Sequence, residues 1–273
     1  MHILPKYEYI NGEMMRKFIF GIAFVFYTGI SSAAVVVEYN FDSNALDSSG
    51  NNEHLTLNGG VGYGAGYTGQ ALALDGINDF AHVNLGNYAL TNFTVEAWVN
   101  VPSYNANVHY VSLYQDNYIV LGDYGGPSDG SVSTWVAGLA PIDAGNTGLI
   151  ETVPPVNEWH HLAFTFDGVN QNIYVDGILE KSIATAGTLT SNPGLYNLGL
   201  TIGARYTGTT QFVSGFLDNV RIHDVALPAA QLGFFQDTLT ASTAVPTLSE
   251  FGIFLLILSL LSTVYFKQRR TIK

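Results

Sequence analysis

No cysteine occurs among the 273 residues of the chain. Disulfide staples, thiolate nucleophiles and cysteine-ligated zinc are therefore excluded. Charge is scarce as well, at 12% of residues against 47% hydrophobic, the reverse of the balance that keeps a chain disordered. Positive charge is scarcest in the middle. Between residues 35 and 245 the only bases are Lys181, Arg205 and Arg221, against 19 acids. With a net charge of −12 overall, nucleic acid is not an expected partner. The other seven bases lie at the two ends: Lys6, Arg16 and Lys17, then Lys267, Arg269, Arg270 and Lys273. Basic ends around an acidic middle fit membrane targeting at both termini.

At the N-terminus, Arg16 and Lys17 precede an uncharged run from Phe18 to Ile30, followed by Ser31, Ser32, Ala33 and Ala34. This order of basic, apolar and small residues predicts a secretory signal helix over residues 1–34. Signal peptidase would cut after Ala34, with Ser32 and Ala34 in the two small-residue positions. Glu8 and Glu13 stand ahead of the basic pair, which makes Met14 or Met15 a better start. At the other end, residues 238–244 read as a spacer. An uncharged stretch at 251–266 then precedes the terminal bases. As a helix it would span about 24 Å, somewhat short of a roughly 30 Å hydrocarbon core. By itself that stretch is a short transmembrane tail anchor with a positive cytoplasmic flank.

The string Val245, Pro246, Thr247, Leu248, Ser249, Glu250, Phe251, Gly252, with the apolar run and basic cluster behind it, resembles the IPTL-CTERM sorting signal of Gram-negative bacteria. Val245 stands where isoleucine is usual, and Phe251 where tryptophan is. The resemblance covers residues 245–270. It implies transient residence in the inner membrane, a membrane sorting protease as partner, and delivery to the cell surface or extracellular matrix.

The middle of the chain, residues 35–237, reads as strands. Phe93, Val95, Ala97, Val99 and Val101 alternate with Thr94, Glu96, Trp98 and Asn100, the period expected of a half-buried strand. Leu162, Phe164 and Phe166 repeat the pattern, then Ile173 and Val175. Asp167-Gly168 and Asp176-Gly177 are hairpin signals. Further strands are expected at 35–41, 55–58, 70–74, 79–84, 108–114, 117–122, 131–138, 197–204 and 215–223. The one helical hint runs from Pro228 to Phe235. Many short strands with glycine-rich turns predict an all-β, two-sheet jelly-roll sandwich in a single domain.

Seven stretches then occur in a telling order: Tyr39-Asn-Phe-Asp42, Leu46-Asp-Ser-Ser-Gly-Asn-Asn52, Gly69-Gln-Ala-Leu-Ala-Leu-Asp-Gly76, Phe93-Thr-Val-Glu-Ala-Trp98, Glu158-Trp-His-His-Leu-Ala163, Ile173-Tyr-Val-Asp-Gly177 and Gly215-Phe-Leu-Asp-Asn-Val-Arg-Ile222. Together they resemble the laminin G-like, concanavalin A-like lectin/glucanase domain. The resemblance covers most of residues 36–232 and is silent over 103–151. It implies a secreted binding module, carbohydrate recognition and terminal strands that run side by side. The alternatives are an adhesion protein that binds protein partners and a glycoside hydrolase.

Several motifs dissolve in context. Gly64-Ala-Gly66-Tyr-Thr-Gly69 matches a dinucleotide fingerprint, but a short strand follows where a helix is needed. Gly126-Pro-Ser-Asp-Gly130 matches a nucleophile elbow, again without the helix. His160 and His161 are neighbours on a strand and point to opposite faces, so they read as structural and not as joint metal ligands. No H-E-x-x-H is present. Retaining glycoside hydrolysis needs carboxyls about 5–5.5 Å apart, and the glutamates of the middle segment form no strand-face cluster. No catalytic residue is therefore expected.

Calcium is the better-supported ion, since it takes six to eight oxygen ligands. Asp42 ends the first strand and Asp218 opens the last, and the family's neighbouring terminal strands would bring them together. Asp47 and Asn51, in the loop between, can add ligands, although ordinary turn chemistry also explains them. Asp75-Gly-Ile-Asn-Asp79 is a second candidate without EF-hand spacing. For a glycan, Tyr104, Tyr110, Tyr114 and Trp135 with Asp116 and Asp123 are the candidate contacts, although core packing is the commoner use of aromatics at strand spacing. They lie where no family motif aligns and where loops carry function.

Overall fold

The structure, a computed structural model, describes residues 34–85, 88, 90–103, 108–115, 117–123, 132–136, 153–185, 189, 199–206 and 208–233. They form an all-β sandwich of two sheets. Its strands are β1 (Val35–Tyr39), β2 (Thr56–Asn58), β3 (Gly62–Ala65), β4 (Gln70–Asp75), β5 (Phe80–Val83), β6 (Phe93–Asn100), β7 (Val108–Gln115), β8 (Asn117–Asp123), β9 (Ser133–Val136), β10 (His160–Phe166), β11 (Asn170–Val175), β12 (Ile178–Ala184), β13 (Gly199–Ile202) and β14 (Ser214–His223). The first sheet runs β12-β11-β10-β6-β14-β4-β3, with β1 also on β14. The second runs β2-β5-β13-β7-β8-β9.

The core forms because alternate residues of each strand point inward. Phe93, Val95, Ala97 and Val99 of β6 and Leu162, Phe164 and Phe166 of β10 meet Val111, Leu113, Ile119, Leu121, Leu200 and Ile202 of the other sheet. The Phe93 and Phe164 rings meet edge to face, 5.1 Å apart. Burial of each such side chain contributes about 1.5–3 kcal/mol.

Both hairpin signals form turns. Asp167 Oδ1 accepts the N–H groups of Val169 and Asn170 between β10 and β11. Asp176 and Gly177, at φ 49° and 75°, link β11 to β12 in the left-handed conformation that two-residue hairpins require.

Two strands form where the sequence predicts none. The glycine run at 62–65 is the strand β3, paired with β4, because the ladder compensates for poor strand propensity. The edge strand β12 escapes the alternation rule because it is largely exposed. In the described part of the helical hint, a 3-10 turn forms at Ala229–Gln231 with Pro228 before it as the cap, and residues 234 and 235 lie outside the described residues. The signal segment, the spacer and the tail that carries Pro246, Thr247, Leu248, Ser249, Glu250, Phe251 and Gly252 lie outside the described residues, apart from Ala34.

β14 organises the site region. On one side it pairs with β6. Its other edge is shared: Ser214–Leu217 pairs with β4, and Val220–His223 pairs with β1. The change of partner falls at Asp218 and Asn219, where the β6 register also shifts and Asn219 has φ 46°. Loop residues seal the free edge of β1: Ser48 N–H donates to Glu38 O, and the Asn51 amide donates to the Val35 and Val36 carbonyls.

Candidate functional site: the outer face of the first sheet

β6 is not half-buried. Seven of its eight residues are buried, because its outward residues Thr94, Glu96 and Trp98 are covered too. Register arranges this outer face in rows across the strands. One row joins Glu38, Arg221, Glu96 and Ala163. The next joins Asp218, Trp98 and His161. A third joins Gly62, Ala73, Phe216 and Asn100.

The first of these rows is sealed. Glu96 is 1% exposed. Its Oε2 lies 3.2 Å from His161 Nε2 and accepts the Gly233 N–H at 2.8 Å. Its Oε1 lies 3.5 Å from His223 Nε2 and 3.9 Å from Arg221 Nη1. Arg221 also donates Nε–H to Glu38 at 2.8 Å. Burial opposes the Glu96 charge, but the two imidazoles and the Gly233 N–H outweigh it and hold the carboxyl well below the usual range. Beside it, Thr94 Oγ1 donates to Val225 O and accepts the Leu227 N–H. The C-terminal segment is thus bound to the sheet by polar groups. The two adjacent histidines separate as the strand period requires: His161 meets Glu96, and His160 Nδ1 meets Asp176 Oδ2 at 2.9 Å.

In the Asp218 row, the Tyr67 ring stacks on Trp98 with centroids 3.4 Å apart. Asp218 is fully buried and accepts the N–H groups of Thr68 and Asn219. Asp42 accepts the Gln70 N–H at 2.8 Å. The two carboxylates therefore hold the same glycine loop from its two ends, and Gly69, at φ 61°, has no room for a Cβ against Asp42. Burial pushes the Asp218 carboxyl up to about 6; backbone N–H donors pull it down and the Asp42 charge adds to the rise. Asp47 and Asn51 do not join them. Asp47 spends its oxygens on Glu38, Ser49 and Glu53 N–H groups and the Ser49 hydroxyl. The Asn51 amide is bound to β1. The four residues are not one ligand set, and the described residues hold no group of three or more histidines and carboxylates suited to a metal. Of the four, Asp42 and Asp218 alone bear on one loop, and the Asp42 charge acts on Asp218. Asp79 is likewise committed, to Gly60 and Asp75 N–H groups.

The third row is open. A groove of about 500 Å³ lies over it, bordered by Gly62, Ala73, Asp75, Asn100, Ser214 and Phe216, with Asn157 and Pro102 at one end. The Phe216 ring extends to Gly64, where any Cβ would collide with it, and stands 6.4 Å from the Trp159 ring.

Of the aromatic candidates, Tyr110 is corrected. A register shift between His109 and Val111 breaks the alternation of β7, and Tyr110 joins the core with no exposed surface. Tyr104 and Asp116 lie outside the described residues. Tyr114, Asp123 and Trp135 are placed on β7, β8 and β9 by their ladders, and their side chains lie outside the description. Sequence reading missed Phe216, Asn100 and Asn157 as one group, because the register of β6 on β14 brings the first two together and the bond from Asn157 N–H to Val101 O adds the third.

A family model described as the concanavalin A-like lectin/glucanases superfamily, Laminin_G_3, matches residues 75–233. The chain belongs to this superfamily. No curated protein matches it. Among solved structures it is similar to domain 4 of AbnA, a GH43 extracellular arabinanase from Geobacillus stearothermophilus, in complex with arabinotriose. The identity is 20% and the TM-score 0.60, over 74% of this chain and 98% of that one. It is also similar to the binding domain of Paraclostridial Mosquitocidal Protein 1, at 18% identity and TM-score 0.51, over 76% of this chain and 53% of that one. A structure of botulinum neurotoxin type C, whose cell entry depends on interaction with two ganglioside molecules, matches at 12% identity and TM-score 0.52, over 76% and 51%. The chain spans about half the length of these two. At such identities the likeness is one of fold: a lectin-like sandwich shared with binding domains.

Proposed function

We propose that this superfamily member is an exported, non-catalytic carbohydrate-binding module of a bacterial cell surface or extracellular matrix. One observation carries the reading: the sandwich corresponds to nearly the whole of a module in complex with arabinotriose. The carboxylates support a role without catalysis. Glu96 is buried in an ion-pair network, Glu38 is tied to Arg221, and Glu53 accepts the Tyr88 hydroxyl. Calcium shared by Asp42 and Asp218 would serve as a structural ion, fixing the glycine loop between them. Adhesion through protein partners is the rival reading.

A glycan array probed with the full chain in detergent tests the function. Retention by oligosaccharides, with no reducing ends released from the matching polysaccharides, is the expected result. Hydrolysis that vanishes on mutation of one glutamate would overturn it. Export after cleavage at Ala34, and removal of the tail at Pro246 to Gly252 by a sorting protease, accompany this role. Mass spectrometry of surface protein should then find an N-terminus near Val35 and no peptide from Phe251 onward; intact chain in the cytoplasm would refute this.

A further inference from the structure

We infer that the groove over Gly62, Phe216 and Asn100 is a glycan subsite, that its ligand is a neutral sugar chain, and that the missing side chain of Gly62 keeps it open. The inference rests on the carbohydrate-binding reading and assigns it a place outside the region of Tyr104 to Trp135.

Unspent polar groups come first. The side chains of Asn100, Asn157 and Ser214 border the groove and make no hydrogen bond to the described residues. The same sheet face satisfies Thr94 and Glu96 fully. Asn157 is nonetheless held in place: it has φ 63°, and its N–H donates to Val101 O at 2.8 Å. Around Phe216, two amides and a hydroxyl offer donors and acceptors beside an apolar ring, and exposed Asp75, whose Oδ1 accepts the Ile77 and Asn78 N–H groups, adds its other oxygen. Sugars present hydroxyls at their edges and C–H groups on their faces, and ligand sites of this size pair apolar walls with a few placed polar groups.

The charge then selects the class. None of the described bases, Lys181, Arg205 and Arg221, borders the groove, and Arg221 is committed to Glu38 and Glu96. Asp75 and Asp79 make the groove acidic, which disfavours uronates, sialic acids and sulfated chains through like-charge repulsion.

Gly62 supplies the third observation. Most glycines of this fold are forced. Gly64 must clear the Phe216 ring, and Gly215, at φ 133°, would drive a Cβ to 2.4 Å from Asn100 O. Gly62 is under neither constraint: its φ is ordinary and a Cβ there would meet nothing within 4 Å. Glycine weakens a strand interior, so its fold-neutral use is to leave the groove unfilled beside Ala73.

Affinity electrophoresis of the full chain in detergent tests this, in gels of arabinan, xylan and β-glucan and in gels of polygalacturonate and alginate. Gly62→Ile should keep or raise the melting temperature while weakening retention in the neutral gels at least tenfold. Asn157→Gly preserves the backbone conformation and should weaken retention several-fold; it decides the matter if Gly62→Ile fails to fold. Unchanged retention of both variants would overturn the groove and leave carbohydrate binding standing. Retention in the anionic gels alone would overturn the neutral class. No retention of the parent chain in any gel would overturn both the groove and the function.

Discussion

Two ends of one strand face differ in how their polar residues are treated. Near the start of β6, Thr94 and Glu96 lie under the C-terminal segment, and every donor and acceptor they present is answered. At its end, Asn100 opens onto a groove with its amide unanswered. The strand is the same and so is the alternation. What differs is the cover, since residues 225–233 bind over Thr94 and Glu96. Burying a carboxylate without partners would cost several kcal/mol, so the covered end had to carry its histidines and arginine. The uncovered end needed no such compensation, and its amide remains available to a ligand. A sealed network and an open groove are thus separated along eight residues.

Removal of the sealed carboxylate is the strongest way to break this contrast. Glu96→Ala would leave two buried imidazoles and the Gly233 N–H without their acceptor, while Arg221 keeps Glu38, at a cost of about 3–5 kcal/mol, a large part of the 5–15 kcal/mol typical of a domain. The folded-state pKa of Glu96 is lowered. Its contribution is therefore fully present above the ordinary glutamate value of about 4.3 and is lost as pH falls through the folded value. Denaturant titrations should show the full gap between parent and variant at pH 7 and a shrinking one in strong acid. A gap below about 1 kcal/mol at pH 7 would mean that the network is not what holds the C-terminal segment.

The legible part of this molecule was the part governed by period and by local chemistry. The alternation at 93–101 and 162–166 marked the two central strands, and the two Asp-Gly pairs marked the hairpins on either side of β11, because each depends only on neighbouring residues. β3 and β12 were not legible: one is a glycine run and the other an exposed edge, and both are strands only by virtue of their partners. The same limit applied at the site. Asp42 and Asp218 could be brought together from the expected pairing of the terminal strands. Asp47 could not be separated from them, since nothing in the sequence says that its oxygens are spent on the N–H groups of its own loop. Tyr110 looked like a rim aromatic until a register shift put it in the core. Phe216 and Asn100 are more than one hundred residues apart in sequence, and only the β6–β14 ladder makes them neighbours.

Asp218 sits between the sealed row and the open one and sharpens the comparison, with a smaller expected effect than Glu96. It is buried like Glu96 but has no cation or imidazole against its carboxylate among the described contacts, only N–H donors and the nearby Asp42 charge. Its pKa therefore moves the other way, up to about 6. In chelator the folded state holds this proton between about pH 4 and 6 while the unfolded chain has released it. Stability from this group is complete below about 4 and declines as pH rises to 6, by on the order of 2 kcal/mol. Asp218→Asn removes the titration, so the parent's melting temperature should fall relative to the variant's across that window. Carboxylates elsewhere contribute equally to both curves and cancel in the difference. Calcium reverses the sign, because an ion between Asp42 and Asp218 would favour the charged carboxylates and bind only the folded state. With calcium at pH 7 the parent should melt higher than in chelator, and the variant should not. Parallel curves between pH 4 and 6 would show that Asp218 carries no such burden. Equal melting with calcium and with chelator would leave the glycine loop held by its two carboxylates alone.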